Sequence, residues 1–253
     1  MGCMSEYDAE GPAGAPAIVF VHGTRVTRSI WSAQVGAFSD RYRTVAVDLP
    51  GHGELAEVPF GLSAFIARLD AIVRREATEG RAVLVGHSLG GYVAIEYAAR
   101  FPGRTAALVV CNASLEPRRL LTIPHRSLAY VADLAGQRIR ERVSDRVRSR
   151  AYRTVTAGGP VPDPGGLLFK GSRNAVRDVI GQQFLPKLHA YPGPVLLVNG
   201  TDDRLFRRDE AAFLTATHDG TLRVIEGAGH VPFVERPAEF DEVLRRFLDS
   251  IHW

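Results

Sequence analysis

Residues 82–91 read AVLVGHSLGG, and this stretch decides the fold. Four apolar residues, Ala82 to Val85, lead into Gly86, His87, Ser88, Leu89 and Gly90, and from Gly91 to Arg100 the chain takes on helical character. A serine on a tight strand-to-helix turn needs small neighbours on both sides, because the backbone there is strained and crowded. Such a turn lifts the hydroxyl above the sheet and aims the following amides at a developing oxyanion. A GxSxG on its own is common, and a Gly-rich turn with an N-cap serine would show the same letters. Its position directly after a buried strand is what gives it weight.

Working outward, short β-branched runs recur at Ala17 to Val21, Thr44 to Asp48, Ala106 to Cys111, Pro194 to Asn199 and Leu222 to Glu226. With Ala82 to Gly86 they predict six strands of the kind buried in parallel sheets. Between them Leu62, Phe65, Ile66, Leu69, Ile72 and Val73 fall at helical spacing, as do Phe240, Val243, Leu244, Phe247, Leu248 and Ile251. The alternation predicts an α/β domain with an open, mostly parallel sheet of about six strands and helices on both faces. It breaks once. From Asn112 to Leu188 no strand is evident, and helix-like stretches at Ser127 to Leu134, Gln137 to Tyr152 and Asn174 to Gln183 predict an inserted helical cap. The expected organisation is a flexible leader (1–16), a core (17–111 and 189–253) and the cap (112–188). Arginines surround the Ile139, Val143 and Val147 stripe, which reads first as a solvated cap helix.

Composition narrows the class. The 253 residues are 45% hydrophobic and 23% charged, too apolar for a disordered chain and the right length for one large α/β domain. No apolar run approaches a membrane span, and the acidic first sixteen residues resemble no secretory signal, so a cytoplasmic protein is expected. Cys3 and Cys111 are too few for a disulfide framework and lack ligand spacing. The charge of +3 comes from arginine, since Lys170 and Lys187 are the only lysines, and without interleaved aromatics it does not point to nucleic acid. No HExxH, histidine cluster or GxGxxG after the first strand is present, so neither a metal nor a nicotinamide or flavin cofactor is expected.

A serine hydroxyl needs a general base, and the base an orienting acid, in the order Ser, Asp or Glu, His for this kind of sheet. His230 lies in EGAGHVPF after the last predicted strand, and Asp202 and Asp203 in VNGTDDRLF after the one before it. Ligands bind at the carboxyl edge of a parallel sheet, so all three loops open on one side.

With VFVHGT at Val19 to Thr24, DLPGHG at Asp48 to Gly53, GHSLGG, GTDD and GAGH in register, the chain resembles the α/β-hydrolase family from Ala17 to Trp253. The resemblance implies Ser88 as nucleophile, His230 as base and Asp203 as acid, three residues after the strand-ending Gly200. It implies an oxyanion hole from the backbone amides of Thr24 and Leu89. His22 is expected to brace the oxyanion loop, and His87 to be a packing and hydrogen-bonding neighbour rather than a second base. Trp31, Tyr92 and Phe233 are candidates for a substrate wall. So few residues precede Ala17 that the sheet is expected to start there. Serine at the elbow disfavours the carboxylate-nucleophile chemistry of dehalogenases and epoxide hydrolases. The expected activity is a carboxylesterase or lactonase acting on a small molecule. Carbon-carbon bond hydrolysis or a cofactor-free lyase or cyclase reaction on the same residues, and a ligand-binding receptor on this fold, are the alternatives.

Overall fold

Among the described residues seven strands, not six, form the sheet, in the order β1-β3-β2-β4-β5-β6-β7. The structure, a computed structural model, describes residues 6–117, 175 and 177–253. The strands are β1 (Tyr7–Glu10), β2 (Ala17–Val21), β3 (Arg43–Val47), β4 (Ala82–His87), β5 (Thr105–Cys111), β6 (Pro194–Gly200) and β7 (Asp219–Ile225). The pairings from β3 through β2 to β7 are parallel, and β1 alone runs antiparallel, with Tyr7 opposite Val47 and Glu10 opposite Thr44.

The extra strand corrects the expectation that the sheet starts at Ala17 behind a flexible leader. An edge strand buries one face only, so YDAE needs no apolar run: Tyr7 and Ala9 pack on the core while Asp8 and Glu10 face water. The same reason explains β7, which begins at Asp219, three residues before the predicted Leu222. Its first two residues are exposed along the other edge.

Alternation along the strands sorts the core into two layers. Val19, Val21, Val45, Leu84, Leu108, Val110, Val195 and Leu197 point to one face, covered by α2 (Leu62–Glu76), α3 (Leu89–Arg100), α4 (Leu185–Ala190) and α5 (Glu210–Ala216). Ile18, Phe20, Val83, Val85, Val109, Leu196 and Val198 point to the other, beneath α1 (Ser32–Phe38), the short α6 (Pro232–Glu235) and α7 (Pro237–Ser250). The predicted helical stripes are the buried ones: Leu62, Phe65, Ile66, Leu69, Ile72 and Val73 on α2, and Phe240, Leu244 and Leu248 on α7. Burying such side chains contributes about 1.5–3 kcal/mol each.

Most of the expected cap, including the stretches at Ser127 to Leu134 and Gln137 to Tyr152 and the arginine-flanked stripe, lies outside the described residues. The described ends of that segment are fastened to the core. The Glu116 carboxylate accepts the amides of Phe184 and Leu185, the Glu116 amide donates to Asp209, and Asp178 accepts the amide of Leu62 at the start of α2. No helix among the described residues is long and apolar enough to cross a membrane.

Register then sets the edge where chemistry can occur. Val21 pairs with Gly86, His87 with Cys111, Cys111 with Val198 and Gly200 with Ile225. The strands end level, so the loops after β2, β4, β5, β6 and β7 stand side by side.

Candidate active site

Ser88 occupies the turn between β4 and α3 with φ 52° and ψ −117°. A non-glycine residue in that region costs about 1–3 kcal/mol and persists only where its surroundings hold it. The holding contacts are visible. The Ser88 amide donates to the Cys111 carbonyl at 2.9 Å, and the Gly91 amide donates to the Ser88 carbonyl at 2.9 Å. A Cβ at Gly86 would strike the Gly90 carbonyl, and one at Gly90 would strike the carbonyls of Val21 and His22. The two outer glycines of GHSLG are therefore steric requirements of the turn.

The loops after β6 and β7 bring the acid and the imidazole together. His230 Nδ1 donates to Asp203 Oδ2 at 2.6 Å. Asp203 is buried and His230 is 36% exposed at its side chain. Asp202, its neighbour, is exposed and points elsewhere, so the geometry separates two adjacent carboxylates that look alike in sequence. Burial alone would raise the Asp203 carboxyl. Hydrogen bonds from His230, from Asn112 Nδ2 at 2.6 Å and from the Phe206 amide at 3.1 Å outweigh it and hold the group below the usual carboxylate range. Phe206 also covers the imidazole, with ring centroids 4.4 Å apart.

Ser88 and the His230 loop meet through His87. The His87 Nε2–H donates to the His230 carbonyl at 2.8 Å, since a carbonyl only accepts. No hydrogen bond of the described residues joins Ser88 Oγ to the imidazole itself. His87 is a hydrogen-bonding neighbour, as expected, and not a second base. Burial, with the nearby His230 second, pushes it down to about 3, so it stays neutral. Its Nδ1 is buried without a hydrogen-bond partner among the described residues.

The loop after β2 lies against the elbow. A Cβ at Gly23 would sit 3.1 Å from the Ser88 Cβ, so the Gly23–Thr24 peptide borders the serine. His22 braces this loop: its Nδ1–H donates to the Gly23 carbonyl at 2.6 Å while its Nε2 accepts the Leu49 amide at 3.0 Å. In a trans peptide the N–H opposes the C=O, so fixing the Gly23 oxygen aims the Thr24 amide away from His22. Leu89 begins α3, where backbone amides lack helical acceptors.

The three candidate residues for a substrate wall are all buried. Trp31 is wholly buried and stacked on Phe233 at 3.8 Å, with Phe20 and Phe240 around them. Phe233, also wholly buried, turns its edge to His87 at 5.1 Å. Both are core, because α1 and α6 close over that face of the sheet. Tyr92 is buried too, its hydroxyl donating to the Leu115 carbonyl at 2.7 Å.

Sequence reasoning missed two residues that hold the site. Asn112, with φ 44°, donates to both Asp203 and the Gly229 carbonyl. Glu235 accepts the amides of Gly229 and Val231, at 2.6 and 2.9 Å, on either side of His230. Asn112 carried a faint signal, as the first polar residue past an apolar strand. Glu235 carried none beyond its closeness to His230. Among the described residues no three His, Cys, Asp or Glu side chains converge where a metal could be held.

Comparison with known proteins matches residues 18–243 to the alpha/beta hydrolase family. A pimeloyl-[acyl-carrier protein] methyl ester esterase of Edwardsiella ictaluri is 29% identical, over 94% of this chain and 95% of its own. An uncharacterised protein of Mycobacterium tuberculosis is 27% identical over 93% of this chain and 76% of its own. Among solved structures, MenH from S. aureus superposes with a TM-score of 0.77 at 21% identity, covering 97% of this chain and 98% of its own.

Proposed function

The chain belongs to the alpha/beta hydrolase family, and from that premise we propose that it is a serine hydrolase opening a carboxylic ester or lactone of a small molecule through an acyl-enzyme on Ser88. The observation that carries the reading is the 2.6 Å Asp203–His230 bond on a loop tied to the residue preceding a strained serine. Relatives named as methyl ester esterases, in Edwardsiella ictaluri and in Nitrosospira multiformis, support the ester bond as the target.

In this mechanism Ser88 Oγ attacks the carbonyl carbon as His230 Nε2 takes its proton. Asp203, hydrogen-bonded at Nδ1, keeps the imidazole in the right tautomer and stabilises the imidazolium. The carbonyl oxygen becomes an oxyanion received by the amides of Thr24 and Leu89. His230 then gives its proton to the leaving alkoxide, the C–O bond breaks, and the acyl group remains on Ser88. A water molecule, deprotonated by the same imidazole, attacks the acyl-enzyme and releases the acid. No cofactor enters any step.

The test is turnover of a panel of aryl esters and lactones beside Ser88→Ala. The variant is expected to keep its melting temperature and to lose about three or more orders of magnitude in kcat, because the three residues act as a unit. Ester turnover that survives in the variant overturns the covalent mechanism.

A further inference from the structure

We propose that His87 is a positioning residue for the reaction, a strut whose ring spans from the oxyanion loop to the catalytic base and sets the separation between Ser88 and His230. The inference rests on the reading of Ser88 and His230 as nucleophile and base.

Four contacts place the ring. Its Nε2–H holds the His230 backbone carbonyl at 2.8 Å. It lies tilted against the His230 ring at a centroid distance of 4.9 Å and makes an edge contact with Phe233 at 5.1 Å. Its Nδ1 faces the Gly23 α-carbon so closely that a Cβ there would come within 2.8 Å. One side chain thus touches the oxyanion loop, the base loop and, through the peptide bond, the nucleophile.

The other supports of His230 come from elsewhere. Asp203 grips the imidazole from the loop after β6, and Glu235 grips the flanking amides from α6. Among the described hydrogen bonds His87 alone joins the His230 loop directly to the elbow, and it does so from the residue covalently next to Ser88. Because the Ser88 dihedrals are fixed by the crowded turn, a bond from residue 87 to the His230 carbonyl limits how far the imidazole can move from the hydroxyl.

The ring must also stay uncharged. His230, Asp203 and His22 are the titratable groups whose charge it feels, and a cation at His87 would oppose the imidazolium that His230 becomes. The Nδ1 atom fits this role: with no hydrogen-bond partner among the described residues, a proton there would have nowhere to point. A buried polar atom left unpaired beside a nucleophile calls for an explanation, and neutrality at this position supplies one.

The experiment compares wild type, His87→Gln, His87→Phe and His87→Asn. Glutamine can still reach the carbonyl with its amide, phenylalanine fills the volume without donating, and asparagine is too short. The readouts are kcat and KM on an aryl ester, and the rate at which a fluorophosphonate labels Ser88. In that reaction Ser88 Oγ bonds to phosphorus, fluoride leaves and His230 takes the serine proton. His87→Phe and His87→Asn are expected to lower kcat and the labelling rate by about tenfold to a hundredfold with KM within about twofold, and His87→Gln to recover to within about fivefold of wild type. Unchanged labelling and kcat in the folded fraction of His87→Phe and His87→Asn, with only a lower melting temperature, would make His87 a packing residue and overturn the proposal. Wild type that turns over ester but is never labelled overturns the Ser88 reading instead, and this proposal with it. Should His87→Phe not fold, the contrast of asparagine with glutamine decides alone.

Discussion

At the carboxyl edge of the sheet His22 stands 3.5 Å from Asp48, and His230 stands 2.6 Å from Asp203. Both aspartates sit just past a strand and both histidines beside a glycine, yet the pairs are finished differently. Each His22 nitrogen is engaged by backbone, Gly23 on one side and Leu49 on the other, and the side chains of the pair are 0% and 1% exposed. Asp48 is further held by an ion pair with the Arg28 guanidinium; against the cost of burial, the nearby His22 and the amides of Arg28 and Glu54 bring its carboxyl down to about 2. That pair is closed at both ends and builds a loop. His230 uses Nδ1 alone among the described hydrogen bonds and keeps a third of its side chain open. An imidazole can move protons only while one nitrogen is free to face a reactant, and that separates the two pairs.

The comparison breaks first at the carboxylates. Asp203→Asn is expected to cut kcat by about three to four orders of magnitude while leaving the melting temperature nearly unchanged, because the wrong imidazole tautomer results. Asp48→Asn should do the reverse. It strips Arg28 of its most buried partner, costing about 3 kcal/mol of stability by denaturant titration, with kcat per folded molecule within about tenfold. Equal kinetic losses in the two variants would erase the distinction between the pairs.

A pH titration sharpens it at the closed end. His52 lies edge-on to His22, with Nδ1 on the Pro50 carbonyl and a buried Nε2 that has no hydrogen-bond partner among the described residues. Burial, with His22 second, pushes it from 6.5 down to about 4. As pH falls below 6.5 the unfolded chain takes up this proton before the folded one does. Stability present near neutrality is therefore lost progressively towards pH 4, by about 3 kcal/mol in all. His52→Phe should flatten that slope in melting experiments between pH 7 and 4, and a slope unchanged by the substitution would place the acid sensitivity elsewhere. The smallest effect belongs to Asp202→Asn. Its exposed carboxylate accepts a hydrogen bond from Thr201 alone among the described residues, so kcat/KM should stay within about twofold of wild type. A loss as large as that of Asp203→Asn would move the acid by one residue.

Much of this edge was legible before any coordinates. The elbow could be read because a serine between Gly86 and Gly90 after Ala82 to Val85 is a local steric statement, and the offset from Gly200 already favoured Asp203. Trp31 and Phe233 are not placed by sequence, because a large aromatic near a site has the same letter whether it lines a pocket or fills a core. Only the closure of α1 and α6 over one face decides between them. Strand β1 was missed because pairing, not periodicity, makes a four-residue edge strand.

By itself, the sequence determined what depends on neighbours along the chain: the alternation that buries both faces of five strands, the helical stripes of α2 and α7, the glycines of the elbow, and the order Ser88, Asp203, His230. Tertiary structure decided what depends on residues brought together from afar. Asn112 reaches Asp203 across 91 positions, and His87 reaches the His230 carbonyl across 143. Which histidine is closed by backbone on both sides, which one keeps a nitrogen open and which one is held neutral as a strut are set by such contacts. A side chain's hydrogen-bond partners are fixed by the fold, and no local pattern records them.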